Sequence, residues 1–155
     1  MKVLVISDSH SHEQKVRAVI EKEKDCPFVF FLGDGLCDIE KCKDSFPDRR
    51  FIRVRGNNDI GFPDEYYAYR FIEGNTVVAT HGHMDSVRCS FHSLISRAVS
   101  VRANVVFYGH THRADVYRDP GSGVVLINPG ALVNGRYAVV TLDKNGVDAE
   151  LKALE

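Results

Sequence analysis

Short apolar runs, each followed by a polar turn, mark the first third of the chain. The predicted strands are residues 3–6, 28–32 and 51–54. The first two runs are unbroken, which is typical of strands buried on both faces. Val16, Val19 and Ile20 are spaced for one face of a helix between the first two strands, and a short helix is predicted around residues 38–43. This strand and helix order favours a parallel, right-handed α/β layer.

The start of the first predicted helix carries a capping signal. Ser11 is expected to cap the helix, and Gln14, three residues later, would complete a capping box.

The pattern changes in the second half, where short strands dominate. Strands are predicted at residues 66–72, 76–80, 105–108, 114–117, 123–127, 137–142 and 147–151. One helix is predicted from an apolar face that comprises Val87, Phe91, Leu94, Ile95 and Ala98. The turn at residues 144–146 is a hairpin signal. Two mixed sheets packed face to face with helices outside, a four-layer α/β/β/α sandwich in one domain of residues 1–155, accommodate all of these elements.

The composition argues against a nucleic-acid-binding protein, a membrane protein and a structural zinc site. The 155 residues are 44% hydrophobic and 26% charged, as in an ordinary globular domain, and the net charge of −1 argues against a strong nucleic-acid footprint. The longest apolar run, residues 28–32, is too short to cross a bilayer, so no membrane association is expected. The four cysteines lack the spacing of a structural zinc site. Reduced thiols favour a cytoplasmic location.

Histidine is distributed unusually. Six of the seven histidines fall in H-x-H pairs: His10 and His12, His81 and His83, His110 and His112. Polar residues able to bind metals follow five predicted strands, and ligands in open α/β sheets bind at the carboxyl ends of strands. Glycines at positions 33, 56, 82 and 109 are expected to permit positive φ angles and close backbone approach beside these residues. The sequence therefore predicts one metal site built from five segments.

These motifs, taken together and in order, resemble the calcineurin-like metallophosphoesterases. The matching stretches are D-x-H at 8–10, G-D at 33–34, G-N-x-D at 56–59, T-H-G-H at 80–83, G-H-T-H at 109–112 and N-P-G at 128–130. The chain is most similar to the small single-domain bacterial and archaeal phosphodiesterases of that family. The resemblance covers nearly the whole chain and implies the four-layer sandwich.

The resemblance also implies two metal ions. One would take Asp8, His10, Asp34 and His112, and the other Asp34, Asn57, His81 and His110, so that Asp34 bridges them. Carboxylate, amide and imidazole donors without thiolate suit divalent manganese, and also zinc, nickel or iron.

The implied activity is phosphodiester hydrolysis by a binuclear metal centre. Such centres bring a shared water to a pKa of about 7, so that a metal-bridging hydroxide attacks phosphorus in line. The expected substrate is a small phosphodiester or phosphomonoester. No protein nucleophile is needed, and Ser7 and Ser9 are interpreted as turn residues.

The sequence departs from the wider family at the expected general acid. Many members have histidine after the G-N pair, whereas this chain has Asn58, which is no useful proton donor near neutral pH. His83 is the best substitute for the missing acid; alternatively, it lies at the surface or supports the metal ligands from behind.

Asp59 is a candidate for orienting the metal ligands through hydrogen bonds, and its alternative role is to form the turn. His12 is expected in the first turn of the helix, with substrate contact as its less favoured role.

Alternative functions remain open at this point. The family includes a trafficking-complex subunit with a degenerate metal site, so a non-catalytic metal-binding scaffold or interaction subunit is the main alternative, followed by a nuclease or a phosphomonoesterase. The complete set of seven predicted ligands favours an enzyme. A monomer and a homo-oligomer are both compatible with the sequence.

Overall fold

Two five-stranded sheets pack face to face in the computed structural model, which describes residues 1–155. The strands are β1 (Lys2–Ile6), β2 (Phe28–Phe31), β3 (Arg50–Arg53), β4 (Tyr67–Ile72), β5 (Asn75–Thr80), β6 (Val105–Phe107), β7 (Asp115–Arg118), β8 (Val125–Asn128), β9 (Arg136–Asp143) and β10 (Gly146–Ala153). The helices are α1 (Glu13–Lys22), α2 (Leu36–Cys42) and α3 (His92–Ser100), with short 3₁₀ turns at Lys43–Ser45, His83–Asp85 and Leu132–Asn134.

Both sheets are mixed. The first has the order β10-β9-β1-β2-β3, and the second has the order β4-β5-β6-β8-β7. Strands β1, β2 and β3 are parallel to one another, as are β5, β6 and β8, whereas β9, β10, β4 and β7 pair antiparallel with their neighbours. Parallel strands align their carboxyl ends at one edge, which brings the turns that follow them together.

Three apolar layers separate four layers of secondary structure. The largest lies between the sheets, where the Phe30 and Phe107 rings meet edge to face with centroids 5.0 Å apart. Side chains on the opposite face of the first sheet pack against α1 and α2, and those of the second sheet pack against α3. The predicted α/β/β/α sandwich is confirmed. Because β1 and β2 are covered on both faces, their sequences are continuous apolar runs.

The hairpin turns follow the local sequence. Ile72 pairs with Asn75 across Glu73 and Gly74, which both have positive φ angles (49° and 81°), as a two-residue turn with the twist of the strands requires. The predicted hairpin at residues 144–146 joins β9 and β10.

Several predicted boundaries were wrong. The capping box at Ser11 and Gln14 does not form, because Ser11 is exposed with a φ of 67° and α1 begins at Glu13. The His12 backbone N–H is instead bound by the buried Asp38 carboxylate at 3.1 Å, a tertiary contact that replaces the local cap. The helix α3 begins only at His92, so Val87 is buried by the preceding turn.

The three helices have 10, 7 and 9 residues, and none of them could reach across a lipid bilayer.

Candidate metal centre

Five strands end beneath one cluster of polar side chains. The turns after β1, β2, β3, β5 and β6 carry all seven predicted metal ligands. Backbone hydrogen bonds join these turns: the Asp8 N–H donates to the Gly33 carbonyl at 3.0 Å, and the His10 N–H donates to the Asp34 carbonyl at 3.1 Å. In the second sheet, the Gly109 N–H donates to the His81 carbonyl at 2.9 Å, which joins the turn after β6 to the turn after β5.

Five of the predicted ligands have left-handed backbone conformations. The φ angles are 56° at Asp8, 43° at His10, 58° at Asp34, 68° at His110 and 62° at His112. Non-glycine residues adopt this region at a cost that the surrounding structure must offset, and such residues cluster at functional sites. These strained residues lie in three of the five turns, those after β1, β2 and β6.

One group of donor atoms surrounds the Asp8 carboxylate. Asp8 Oδ1 lies 3.1 Å from His112 Nε2 and 3.5 Å from His10 Nε2, and the two Nε2 atoms are 3.3 Å apart. Asp8 is completely buried, while His10 is half-buried and His112 is exposed, so this group opens to solvent on the histidine side.

A second group lies deeper. His81 Nε2 is 3.4 Å from Asp34 Oδ2 and 3.9 Å from Asp8 Oδ1, and it is 3.2 Å from His110 Nδ1. One imidazole nitrogen and two carboxylate oxygens thus lie close enough together to hold one ion, and His110 Nδ1 lies beside the imidazole. Asp8 and His81 are fully buried and Asp34 is nearly so.

These donors fit divalent transition metals. Bonds of about 2.0–2.2 Å from nitrogen and oxygen to one ion place neighbouring ligand atoms roughly 3–3.6 Å apart, close to the observed separations. The donors are carboxylate and imidazole without thiolate, as manganese, iron, zinc and nickel accept. Asp8 belongs to both groups of donors, whereas Asp34 belongs to one. The bridging role of Asp34 stays a prediction, and Asp8 is the carboxylate that the two groups share.

Hydrogen bonds behind the donors orient them. The His81 Nδ1 atom donates to the Leu32 carbonyl at 2.7 Å, which directs Nε2 towards the carboxylates. Asp8 Oδ2 accepts from the Ser7 hydroxyl at 2.5 Å and from the His110 N–H at 3.2 Å, which leaves Oδ1 for the donor group.

Asp59 organises the turn that carries Asp34. Its carboxylate accepts four backbone N–H groups, those of Asp34 (2.7 Å), Gly35 (2.9 Å), Leu36 (3.0 Å) and Gly56 (2.8 Å). It contacts no predicted ligand through that ligand's side chain. The aspartate thus ties the turn after β2 to the turn after β3.

The two asparagines of the G-N-x-D turn are both exposed. Asn58 donates to Asp34 twice, through its backbone N–H to Oδ1 and its amide to Oδ2, both at 2.9 Å. Asn57 is the neighbouring residue in the same turn, and its carboxamide forms no hydrogen bond within the chain.

A family model described as the calcineurin-like phosphoesterase superfamily domain matches residues 1–145. The chain belongs to this superfamily. A curated relative, the probable metallophosphoesterase YsnB of Bacillus subtilis (strain 168), is 28% identical over 156 residues, which cover 94% of this chain and 86% of YsnB.

Solved structures share the superfamily fold. A predicted phosphoesterase from Streptococcus pneumoniae superposes with a TM-score of 0.81 at 22% identity, covering 98% of this chain and 88% of that one. A novel archaeal phosphodiesterase superposes with a TM-score of 0.73 at 25% identity, covering 98% of this chain and 100% of that one. Vps29 complexed with zinc from Entamoeba histolytica gives 0.72 at 17% identity, covering 99% of both chains.

The ionisable side chains of this calcineurin-like centre shift one another's pKa values. Burial opposes ionisation of Asp34, but the hydrogen bond and charge of His81, with the two bonds from Asn58, outweigh it and lower the pKa of Asp34 to about 2. Burial likewise opposes protonation of His81, and the Asp34 and Asp8 carboxylates outweigh it and raise the pKa of His81. The pKa of His110 is lowered by burial and by the nearby positive charges of His81 and Arg88.

His83 lies beside the predicted ligands. Its ring centroid is 5.4 Å from that of His81, 6.2 Å from that of His110 and 5.5 Å from that of Tyr66. Its buried Nδ1 has no hydrogen-bond partner in the chain. Burial and then the His81 charge lower the pKa of His83. His12, by contrast, precedes α1 and directs Nδ1 to the Ser9 and His10 carbonyls, at 2.9 and 2.8 Å.

The glycines of the superfamily motifs have two different roles. Gly33 has the predicted positive φ of 97°, as does Gly82 at 106°, whereas Gly56 and Gly109 lack a positive φ and show only the predicted close approach. Gly56 is required by proximity instead, since a Cβ there would lie 2.2 Å from Asp34 Oδ1. At Gly109 a Cβ would lie 2.1 Å from the Ser7 hydroxyl oxygen.

Some supporting residues escaped sequence reasoning. Asp38 is buried and binds the Ser9 hydroxyl at 2.5 Å, which fixes the loop that carries His10. Asn128 is completely buried, and its amide donates to the Gly109 carbonyl at 3.2 Å and to Thr111 at 2.9 Å. For Asn128 the N-P-G motif was a usable signal. Asp38 lies on a helix with no local pattern that distinguishes it.

Proposed function

We propose that this chain is a phosphodiesterase that works with two divalent metal ions, manganese foremost. The observation that carries the proposal is the convergence of Asp8, His10, Asp34, His81 and His112 from four segments, with consecutive donor atoms 3.1–3.9 Å apart. Asn57 and His110 would complete the ligand set. A purely structural cluster would not require three imidazoles to direct their Nε2 atoms towards two buried carboxylates.

When bound, the ions would activate water and neutralise charge on the phosphoryl oxygens. The protein's own part is to hold the donors rigidly. The Leu32 carbonyl fixes the His81 ring, and Asp59 fixes the turn that presents Asp34. The Ser7 and Ser9 hydroxyls both donate to buried carboxylates, so neither is available as a nucleophile. The attacking group is therefore water.

The preference for diesters over monoesters is supported by the similarity to an archaeal phosphodiesterase, at 25% identity over 98% of this chain. Asn58 restricts the leaving group instead. It directs its amide to Asp34 and supplies no proton, so a substrate with an acidic leaving group suits the site.

The test begins with chelated protein that is reloaded with manganese, nickel or zinc. Metal content by elemental analysis should reach two ions per chain, and hydrolysis of an aryl phosphodiester should exceed that of the matched phosphomonoester. Chelation should abolish turnover, and manganese should restore it. Stoichiometric metal with no hydrolysis of either ester would contradict the catalytic proposal.

The second candidate is a metal-binding scaffold. Its specific support is the fold shared with Vps29, including the Entamoeba form complexed with zinc. That observation fits metal binding without turnover. The experiment above separates the two candidates, because a scaffold would bind the ions and leave every ester in the panel intact.

A further inference from the structure

A half-open pocket lies beside the candidate metal centre, and His112 is the one predicted ligand in its lining. Its volume is about 660 Å³, and it lies between the turn before α3, the end of β6 and the segment that leads into β7. A pocket of this size is typical of sites for drug-sized ligands and far exceeds the room that a phosphate group needs. Given the proposed function, an ester arm of the substrate would lie here.

Two aromatic rings, Phe91 and Tyr108, line the pocket. The half-buried Phe91 ring is held by two neighbouring rings, Tyr108 at 5.4 Å and Tyr117 at 5.3 Å between centroids. Val87 and Tyr108 are both buried beneath the pocket. A half-buried ring that is held by its neighbours binds flat ligands well, because its own entropy loss on binding is small.

The rim carries two unpaired guanidinium groups. Arg88 and Arg113 line the pocket from opposite segments, and both are exposed. Neither side chain forms an ion pair or hydrogen bond within the chain, and Arg113 uses only its backbone N–H, to Thr111. Asp115 is the single carboxylate in the lining, so the rim has a net positive charge. Guanidinium groups bind phosphate through paired hydrogen bonds.

We infer that this pocket selects phosphodiesters in which one ester arm carries a nucleobase-sized aromatic ring and a second phosphate. The scissile phosphate lies at the metal donors, the ring stacks on Phe91, and the second phosphate binds Arg88 and Arg113. The substrate class is thus a small nucleotidyl diester. This inference rests on the proposed function, and the experiment below separates the failure of one from the failure of the other.

Three diesters with the same leaving group test the pocket. They are para-nitrophenyl ethyl phosphate, para-nitrophenyl thymidine 5′-phosphate, and the latter compound with an added 3′-phosphate. In manganese-loaded protein, kcat/KM should rise along this series, with roughly tenfold from the ring and roughly tenfold from the second phosphate. Equal values for all three would overturn the inference while leaving the proposed function intact.

Variants assign the preference to named side chains. Phe91→Leu should cut the ratio of the thymidine diester to the ethyl diester by roughly fivefold or more. Arg88→Gln should remove most of the gain from the 3′-phosphate, whereas Arg102→Gln, the same change at an exposed position after α3, should retain the wild-type ratios. Retained preference in Arg88→Gln and Arg113→Gln would overturn the assignment. Since both are surface positions, they test the idea even if Phe91→Leu unfolds.

Binding without turnover provides an independent readout. Thymidine 3′,5′-bisphosphate, titrated into metal-free protein, should shift backbone amide NMR signals of residues 87–91 and 111–115. The shifts should weaken in Arg88→Gln and persist in Arg102→Gln. Shifts confined to other regions, or none at millimolar ligand, would overturn the pocket assignment. If all three esters resist hydrolysis while this binding is seen, the proposed function fails and the pocket stands.

Discussion

The Nδ1 atom of His81 donates a hydrogen bond to the Leu32 carbonyl oxygen at 2.7 Å. A carbonyl oxygen can only accept, so Nδ1 carries the proton and Nε2 faces Asp34 Oδ2 at 3.4 Å. Without a metal, a proton on Nε2 would form an ion pair with the Asp34 carboxylate. A bound metal cation would replace that proton between Nε2 and the carboxylate.

We therefore expect metal affinity to depend on pH. The pKa of His81 is raised, against the effect of burial, by Asp34 and Asp8, so a proton competes with the metal up to pH values above the usual histidine pKa of about 6.5. Affinity should rise as pH increases through this range, with release of protons on binding. Calorimetry in two buffers of different ionisation enthalpy measures that release. Affinity that is constant from pH 5.5 to 8 would contradict the assignment of His81 as a ligand.

Asp34→Asn should abolish phosphodiesterase activity and weaken binding of both metals. The carboxylate is nearly buried and ionised, with a pKa lowered to about 2, and the amide supplies no charge. Elemental analysis and aryl-phosphodiester turnover check both effects. Asp148→Asn, the same change at an exposed residue of β10, is the matched control and should behave as wild type. Wild-type rates in Asp34→Asn with one retained metal would count against the shared site.

Asp59→Asn should damage the site without touching a metal. The new amide group would face backbone donors now bound by the carboxylate, including the N–H groups of Asp34 and Gly56, so the free energy of unfolding should fall by about 2 kcal/mol or more. Activity should fall because Asp34 loses its position. Urea denaturation and kcat measure the two losses, with Asp25→Asn, at an exposed position, as control. A stable variant with full activity would show that the four hydrogen bonds are dispensable.

Hydrolysis should depend steeply on the leaving group. Asn58 offers no proton, so rates across a series of aryl phosphodiesters should fall sharply as the pKa of the phenol rises. His83 is the alternative donor, and its lowered pKa leaves it largely neutral at pH 7. His83→Gln should then leave the slope unchanged. A flat dependence, with chemistry shown to limit the rate, would refute the claim that the site lacks a general acid. A steeper slope in His83→Gln would assign the acid role to His83.

Away from the site, Glu23 should contribute stability that depends on pH. Partial burial opposes its ionisation, but hydrogen bonds from Lys152 and Tyr137, both at 2.7 Å, outweigh it and lower the pKa of Glu23. A lowered pKa means that the stabilisation is present above the unfolded glutamate pKa, about 4.3, and is lost as pH falls below it.

Glu23→Gln should therefore lower the Tm at pH 7, by an amount that corresponds to under about 1 kcal/mol. The difference between variant and wild type should shrink as pH falls through the lowered pKa of Glu23. Thermal melts across this range measure it, with Glu21→Gln, at an exposed position of α1, as control. A difference that stays constant down to pH 3 would assign the effect to packing and not to charge.

Much of the fold follows from local patterns. The continuous apolar runs of β1 and β2 indicate strands covered on both faces, and the polar residues directly after them indicate a site at the strand ends. Boundaries were less predictable. The cap of α1 comes from Asp38, which is 26 residues away along the chain from the N–H it binds, and no local signal at Ser11 could report it.

The sequence alone determined the sandwich and the five turns that carry the predicted ligands, because periodicity and residue chemistry are local properties. Only the tertiary structure decided how these parts meet. It showed that Asp8 is shared by both donor groups, that Asp59 binds backbone and not imidazole, and that Phe91 lines a pocket beside His112. The reason is physical: distances between atoms on separate segments depend on how sheets and helices pack, and packing is a property of the whole chain.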